Sequence, residues 1–245
     1  MAINKDSNAY TIIFAIAMCV VVGTSLVIVS QTLKPVQEKN VMNDKKQNIL
    51  AAIQVEATLQ DAGTKFEQYV KDAVILDANS QAVEVKTDVI AEALTINALS
   101  EFKDKPATDR RYPLFICEKD GSRFFVMPVG GQGLWAGVWG YVAVGEDLNT
   151  IAGASFDHKS ETPGLGAEIA TPFFETQFTG KKIHDDNGEF VSIRVVKPGG
   201  PKSDHAVDGI SGGTFTSVGV DEMLMRCMSI YSKYFKTMSK STALN

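Results

Sequence analysis

The chain lacks an excess of basic residues. Of its 245 residues, 24 are lysine or arginine and 29 are aspartate or glutamate, which gives a formal net charge of −5. Proteins that bind nucleic acids neutralise phosphates with clustered lysine and arginine, and the sequence contains no such cluster. We therefore predict no nucleic-acid partner. With 44% hydrophobic and 22% charged residues, the composition is that of an ordinary folded protein.

Cysteine and histidine are also scarce, at three residues each. Cys19, Cys117 and Cys227 form no Cys-x-x-Cys pair, so the sequence gives no support for a zinc ribbon or an iron–sulfur cage. A bridge between the last two stays open, but buried free thiols are the simpler interpretation. The histidines are far apart in the sequence and predict no metal site. They are His158, His184 and His205.

Two glycine motifs match known patterns in form only, and no Gly-Lys-Ser/Thr of a P-loop occurs. Residues 131–136 read G-x-G-x-x-A, but a dinucleotide fingerprint needs a helix after it, and strand-like residues follow. Residues 209–213 read G-x-S-x-G, which would make Ser211 the nucleophile of a serine hydrolase. In the α/β-hydrolases that carry this motif, the catalytic histidine follows the serine in the chain, whereas every histidine here precedes Ser211. A membrane-anchored hydrolase with its triad in another order stays open as an alternative of a different class.

Residues 11–30 form an apolar run without a single charge. At about 1.5 Å per residue, a helix of this length spans roughly 30 Å, the thickness of a hydrocarbon core. A cleaved signal peptide has a shorter apolar region, and a lipoprotein site has a small residue before its cysteine, where Met18 precedes Cys19 here. We predict a retained anchor over residues 1–34, with a buried soluble helix as the alternative. The flanking lysines do not decide the topology.

Residues 35–245 are predicted to form one α+β domain. Apolar residues at near-helical spacing after the anchor predict that its helix continues into this domain. A break is expected at residues 62–64, followed by a short helix over residues 66–74. An alternating pattern around residues 119–121 predicts a β-hairpin, and the glycine-rich residues 130–158 predict strands with close backbone contacts.

Two loops carry the clearest chemistry. Residues 157–169 contain a turn at Pro163 and Gly164, beside an acceptor on Glu161 and a hydroxyl on Thr162. A ligand could approach the backbone there, and an ordinary surface loop is the plain alternative.

The other loop, residues 208–217, places glycines and threonines before an amphipathic helix predicted to begin at Val220. Exposed N–H groups at a helix N-terminus hold phosphates, so a phosphate site is physically sensible here. Local chemistry does not choose between Thr214 and Thr216. A Ser217 N-cap after a glycine turn is the plain alternative.

Together, the anchor and the two loops resemble a known family. Their order and spacing are similar to those of the C subunit of the bacterial Na+-translocating NADH:quinone oxidoreductase. Residues 160–166 (SETPGLG) match its glutamate loop, and residues 208–217 (DGISGGTFTS) resemble its flavinylation motif, Asp-x-x-Ser/Thr-Gly-Ala-Thr, with Gly213 in place of alanine. The G subunit of the Rnf electron-transport complex shares this motif and is the alternative. The overall length and the long helix after the anchor favour the quinone oxidoreductase.

The resemblance implies that FMN is joined through its phosphate to the threonine that closes the motif, which is Thr214. Ser211, Gly213 and Thr216 then become candidates for contacts with the phosphate. Trp135 adds an aromatic ring able to pack on the isoalloxazine, with a core tryptophan as the plain alternative. The glutamate loop implies further non-covalent flavin contacts, from Glu161, Thr162, Gly164 and Leu165.

The resemblance also implies partners and a place in the cell. The chain would be an electron-relay protein within a complex of six subunits in the bacterial inner membrane, with its large domain on the periplasmic side. Another subunit oxidises NADH at FAD and an iron–sulfur centre, and the FMN passes electrons to a second covalent FMN on a neighbouring subunit. Riboflavin and ubiquinone follow, and sodium is pumped outward. A flavin transferase that uses FAD is the implied modifying enzyme.

Overall fold

The computed structural model describes residues 7–200 and 203–242. The chain divides into two units, one up to Asn43 and one from Asp44 onward. The α-helices are α1 (Asn8–Ala52), α2 (Ala62–Tyr69), α3 (Val89–Thr95), α4 (Ala98–Asp104), α5 (Pro172–Glu175) and α6 (Thr214–Thr242). The strands are β1 (Val70–Leu76), β2 (Tyr112–Lys119), β3 (Ser122–Gln132), β4 (Gly137–Val144), β5 (Ile151–His158), β6 (Arg194–Val196) and β7 (Ala206–Asp208). This mixture of helix and sheet confirms the predicted fold class.

The first unit contains the part of α1 that carries the charge-free run of residues 11–30. The helix is 45 residues long and continues through Pro35, so the predicted continuation beyond the run is confirmed. Apolar side chains of the run are exposed, among them Ile13, Val21 and Leu26. The helix is long and apolar enough to cross a bilayer. An exposed apolar helix is compatible with single-pass membrane anchoring and differs from the buried helix of a soluble core.

The second unit is built on a five-stranded antiparallel sheet in the order β1-β2-β3-β4-β5. The predicted hairpin is confirmed: Asp120 and Gly121 connect β2 to β3, with φ of 52° and 79°. Positive φ at both central residues is the mark of a turn whose twist matches that of the strands. β4 follows residues 133–136 as a strand, which confirms that residues 131–136 are no dinucleotide fingerprint.

Helix α6 packs its apolar face across β3 and closes the core. Tyr231 is fully buried, and its hydroxyl lies 3.0 Å from the carbonyl oxygens of both Pro113 and Pro128, on β2 and β3. Phe235 packs edge-on against Phe125 of β3, with ring centroids 5.7 Å apart. These contacts hold α6 against β2 and β3.

Two predicted boundaries in the second unit are wrong. Residues 62–64 begin α2 instead of breaking a helix, since α1 already ends at Ala52. Residues 70–74 belong to β1, which pairs with β2 from Val70 opposite Cys117 onward. Pairing with a buried neighbouring strand outweighs the local helix preference of this segment.

The three cysteines are free, as the simpler interpretation predicted. Cys117 lies buried in β2 and Cys227 lies buried in α6. Burial raises the pKa of the Cys117 thiol to about 12, because the protein interior disfavours the thiolate. Both thiols therefore belong to the packed core.

Candidate cofactor site

The threonine motif follows directly from strand β7. Its first residue, Asp208, is held by Gln177, whose Oε1 accepts the Asp208 N–H at 2.9 Å and whose Nε2 donates to the Asp208 carbonyl at 3.3 Å. The Asp208 carboxylate accepts the N–H of Gly199 at 3.2 Å. Gly212 has a φ of 76°, a left-handed conformation that glycine adopts readily. The chain thus turns sharply between β7 and α6.

Helix α6 begins at Thr214, inside the motif. The Ser217 N–H donates to the Gly213 carbonyl at 2.9 Å, and the Ser217 hydroxyl accepts the Ile210 N–H at 2.9 Å. Helix geometry leaves the N–H groups of residues 214–216 without an intrahelical partner. Together with the positive end of the helix dipole, these N–H groups suit an anion such as a phosphate.

The predicted helix start at Val220 is therefore too late. Residues 214–219 include threonine, serine and glycine, which are weak helix formers, and the apolar periodicity starts only at Val220. The hydrogen bond from the Ile210 N–H to the Ser217 hydroxyl stabilises the first turn, in place of helix propensity. The Ser217 N-cap is also wrong, because Ser217 lies within the helix. Thr214 and Thr216 consequently lie in the first turn and not before it.

Glu161 lies at the centre of the site, with only 5% of its surface exposed. One carboxylate oxygen accepts the N–H groups of Trp135 (3.0 Å) and Ala136 (3.2 Å), and the other accepts the Thr216 hydroxyl at 2.7 Å. Burial alone would raise the pKa of Glu161. The hydrogen bonds from Thr216 and from the two N–H groups outweigh burial, so that the pKa lies below its usual value and the carboxylate is ionised.

The glutamate loop and the threonine motif touch each other. Gly164 has a φ of 74°, and the carbonyl of Thr162 accepts the N–H of Leu165 at 3.1 Å, so residues 162–165 form a tight turn. A Cβ on Gly212 would lie 2.7 Å from the Leu165 side chain, and one on Gly213 would lie 3.3 Å from the backbone nitrogen of Gly166. The sequence predicted both loops as parts of one site, and the structure brings them together.

Large apolar side chains in the β3–β4 turn, the glutamate loop and the start of α6 are exposed to solvent. Trp135 is 69% exposed and Phe215 is 71% exposed, and Leu165 is exposed as well. The core alternative for Trp135 is therefore wrong. These three side chains belong to segments that contact one another through Glu161 and Gly212, and a contiguous exposed apolar patch marks a binding surface.

Thr214 also lines a cleft of about 340 Å³. Asp221 fixes the segment that begins one wall of this cleft at Val195. Its carboxylate accepts hydrogen bonds from Arg194 Nε at 2.9 Å and from the Val195 N–H at 2.8 Å. Sequence reasoning missed the residues of this wall, because residues 195–198 carry no motif beyond a short strand followed by proline. The lining residues are Val195, Val196, Lys197, Pro198, Gly209, Ile210, Thr214, Ser217 and Val218.

The three histidine side chains form hydrogen bonds with residues other than the exposed Ser211. His158 Nδ1 accepts the Glu161 N–H at 3.2 Å, His184 Nε2 lies 2.7 Å from the Ser232 hydroxyl, and His205 Nδ1 lies 2.7 Å from the Lys182 carbonyl. In the described part of the chain no histidine hydrogen-bonds Ser211. The hydrolase alternative therefore lacks the serine–histidine contact that it requires.

The chain is similar to a domain family and to known proteins over a region that includes both loops. Residues 133–229 match the FMN-binding domain family. The C subunit of the Na(+)-translocating NADH-quinone reductase of Vibrio anguillarum is 33% identical, over 90% of this chain and 90% of that protein. The same protein of Pseudomonas aeruginosa is 31% identical, over 90% of this chain and 91% of its own length. The crystal structure of the C subunit from Parabacteroides distasonis is 43% identical and covers 82% of this chain and 96% of its own, with a TM-score of 0.69.

The matched region extends from the β3–β4 turn into α6 and so includes both loops of the site. The relatives match the chain over most of its length, which confirms the resemblance seen in the sequence. The chain belongs to the C-subunit family of the Na(+)-translocating NADH-quinone reductases, an oxidoreductase complex, and contains an FMN-binding domain.

Proposed function

We propose that the chain carries FMN covalently, as a phosphoester of the Thr214 hydroxyl, and relays electrons within a membrane-bound Na+-pumping NADH:ubiquinone reductase. One observation carries the proposal: Thr214 is exposed, is the first residue of a long helix, and stands directly after two glycines. A phosphate on its hydroxyl meets the N–H groups of the first helical turn and the positive end of the helix dipole.

The difference between the two threonines supports Thr214 as the attachment residue. Thr216 is only 1% exposed, and its hydroxyl proton is donated to Glu161. An incoming phosphorus cannot reach that oxygen without opening the fold, whereas Thr214 faces solvent beside the cleft. We place Ser211, Gly213 and the N–H of Thr216 around the phosphate.

The exposed apolar side chains suit the flavin ring. Trp135, Leu165 and Phe215 are exposed, and an isoalloxazine that packs on such residues buries apolar surface on both partners. FMN, when bound, supplies the reversible electron transfer that no side chain of this domain provides. The chain itself binds the phosphate, orients the ring and keeps it at the protein surface. Thr162 and Gly164 are proposed as further contacts from the loop.

Attachment requires a flavin transferase with FAD as donor. The Thr214 oxygen attacks the phosphorus on the FMN side of the pyrophosphate, an O–P bond forms, the anhydride bond breaks, and AMP leaves with the bonding electron pair. The hydroxyl proton passes to the transferase or to water. The reaction changes no oxidation state.

The proposed setting follows from the anchor and the family. We place the charge-free run of α1, residues 11–30, across the bacterial inner membrane. Residues 1–34 are then the tail and anchor, and residues 35–245 form the domain on the periplasmic side. The proposed electron acceptor is a second protein with covalent FMN, within the same complex of six subunits. A tether keeps the flavin on this chain while the exposed surface around Thr214 meets the partner.

Peptide mass spectrometry tests the attachment. Trypsin cleavage after Lys202 and Arg226 releases residues 203–226, which contain both threonines. In the chain expressed with a flavin transferase, we expect this peptide to gain the mass of FMN less one water and fragmentation to place it on Thr214. An unmodified peptide from a host with active transferase contradicts the proposal.

A further inference from the structure

We infer that Glu161 is a positioning residue that joins the β3–β4 turn, the glutamate loop and the start of α6 into one frame for the flavin; this inference rests on the proposed function. The resemblance implied a direct flavin contact for Glu161. Both carboxylate oxygens are instead occupied by protein donors, and the side chain is buried.

The hydrogen bonds of Glu161 reach across the sequence. Oε1 binds the N–H groups of Trp135 and Ala136 in the β3–β4 turn, and Oε2 binds the Thr216 hydroxyl in α6. The backbone N–H of Glu161 in turn donates to His158 Nδ1 at the end of β5. Three segments that are separate in the sequence thus meet at one carboxylate.

Two glycines make room for this carboxylate. A Cβ on Gly133 would lie 2.6 Å from Glu161 Oε1, and a Cβ on Gly166 would lie 2.6 Å from Oε2. Real Cβ atoms essentially never come this close to another heavy atom. Because a different loop supplies each glycine, the socket is formed by the loops that Glu161 joins.

The frame holds the proposed flavin residues at its edges. Trp135 and Thr216 bind Glu161 directly, Leu165 lies in the same loop, and Thr214 lies two residues before Thr216 in the same helical turn. Loss of the carboxylate would free the turn with Trp135 from the helix with Thr214. The flavin would then keep its tether but lose its fixed orientation.

The charge of Glu161 has a second consequence. The carboxylate is buried and ionised close to the helix end where we place the FMN phosphate, and His158 also favours its charged form by lowering its pKa. A fixed negative charge disfavours a further electron on a nearby flavin. Glu161 therefore lowers the reduction potential of the flavin.

Two variants separate position from charge. In Glu161→Gln the amide oxygen still accepts two N–H groups, and its nitrogen donates to the Thr216 hydroxyl, so the frame persists without its charge. In Glu161→Ala the frame loses all three hydrogen bonds. Glu222→Gln is the matched control, because it removes an exposed carboxylate from the third turn of the same helix.

The experiment uses the full chain in detergent, expressed with a flavin transferase. Hydrogen exchange of residues 133–139 reports the frame with or without flavin, and fluorescence anisotropy and redox titration report the flavin. We expect faster exchange and lower anisotropy in Glu161→Ala only, and a higher reduction potential in Glu161→Gln but not in Glu222→Gln. Unchanged exchange in Glu161→Ala, or an unchanged potential in Glu161→Gln, overturns the inference. A wild-type chain without covalent flavin overturns the proposed function instead, and the exchange data still decide whether Glu161 holds the frame.

Discussion

Thr214 and Thr216 lie in the same first turn of α6 and have opposite environments. Thr214 is exposed beside a cleft, whereas Thr216 is buried, with its hydroxyl 2.7 Å from the Glu161 carboxylate. One threonine is thus available for modification, and the other holds the helix to the glutamate loop.

Thr216→Val is expected to destabilise the chain by about 1.5–3 kcal/mol, because a buried carboxylate oxygen loses a hydrogen bond and gains no replacement. Thr216→Ser keeps the hydroxyl, so its free energy of unfolding should fall much less. Thermal unfolding in detergent measures both. Thr237→Val is the control: its hydroxyl makes only an exposed bond within α6, to the Tyr234 carbonyl. An equal loss of stability in Thr216→Val and Thr237→Val would show that the hydrogen bond from Thr216 to Glu161 does not stabilise the fold.

Gly166→Ala is expected to disrupt the site. Its methyl group would lie 2.6 Å from Glu161 Oε2 and would also clash with Thr216, and overpacking of this kind costs about 1–3 kcal/mol. Gly63→Ala in α2 is the control, because a Cβ there meets nothing within 4 Å and helix propensity favours alanine. We expect lower stability and less bound flavin for the first variant only. A stable, fully flavinylated Gly166→Ala chain would show that the loops do not need this contact.

Trp135→Ala is expected to change the flavin and leave the fold intact. Trp135 is exposed, and such substitutions shift stability by no more than about 0.5 kcal/mol. If the indole packs on the isoalloxazine, its removal raises the fluorescence of the tethered flavin. Phe173→Ala, which removes another exposed ring, serves for comparison. The same flavin fluorescence in both variants and the wild type would remove Trp135 from the site.

Lys45 gives the chain a pH dependence on the alkaline side. Its ammonium donates to the carbonyls of Leu94 (2.7 Å) and Ile96 (2.5 Å), and burial lowers its pKa from 10.5 to about 8. Between these two values the unfolded chain binds more protons than the folded one, so the contribution of Lys45 to stability rises with pH. The stability of the wild type relative to Lys45→Met should therefore increase from pH 8 to pH 10. A difference that stays flat or falls across this range would contradict the assignment.

The sequence predicted most of the architecture. The long apolar helix, the Asp120–Gly121 hairpin and the apolar face of α6 each follow from a local pattern of charge, turn residues or periodicity. The start of α6 was missed because its first turn depends on Ser217 and its bond to Ile210, which no local pattern contains.

The role of Glu161 was equally out of reach from sequence. Its partners Trp135 and Thr216 stand far from it in the chain, and only the folded sheet brings them to one carboxylate. The cleft wall at residues 195–198 is set by the ion pair between Arg194 and Asp221, another long-range contact. Family likeness located the motif, whereas tertiary contacts distinguish its two threonines.

In-gel flavin fluorescence after denaturation tests the attachment at Thr214 most directly. The full chain and its variants are expressed in a host whose flavin transferase is active on a known substrate. We predict a fluorescent band for the wild type and for Thr216→Ser, and none for Thr214→Ala, although the last variant folds because its side chain is exposed. A fluorescent band that persists in Thr214→Ala would contradict the account.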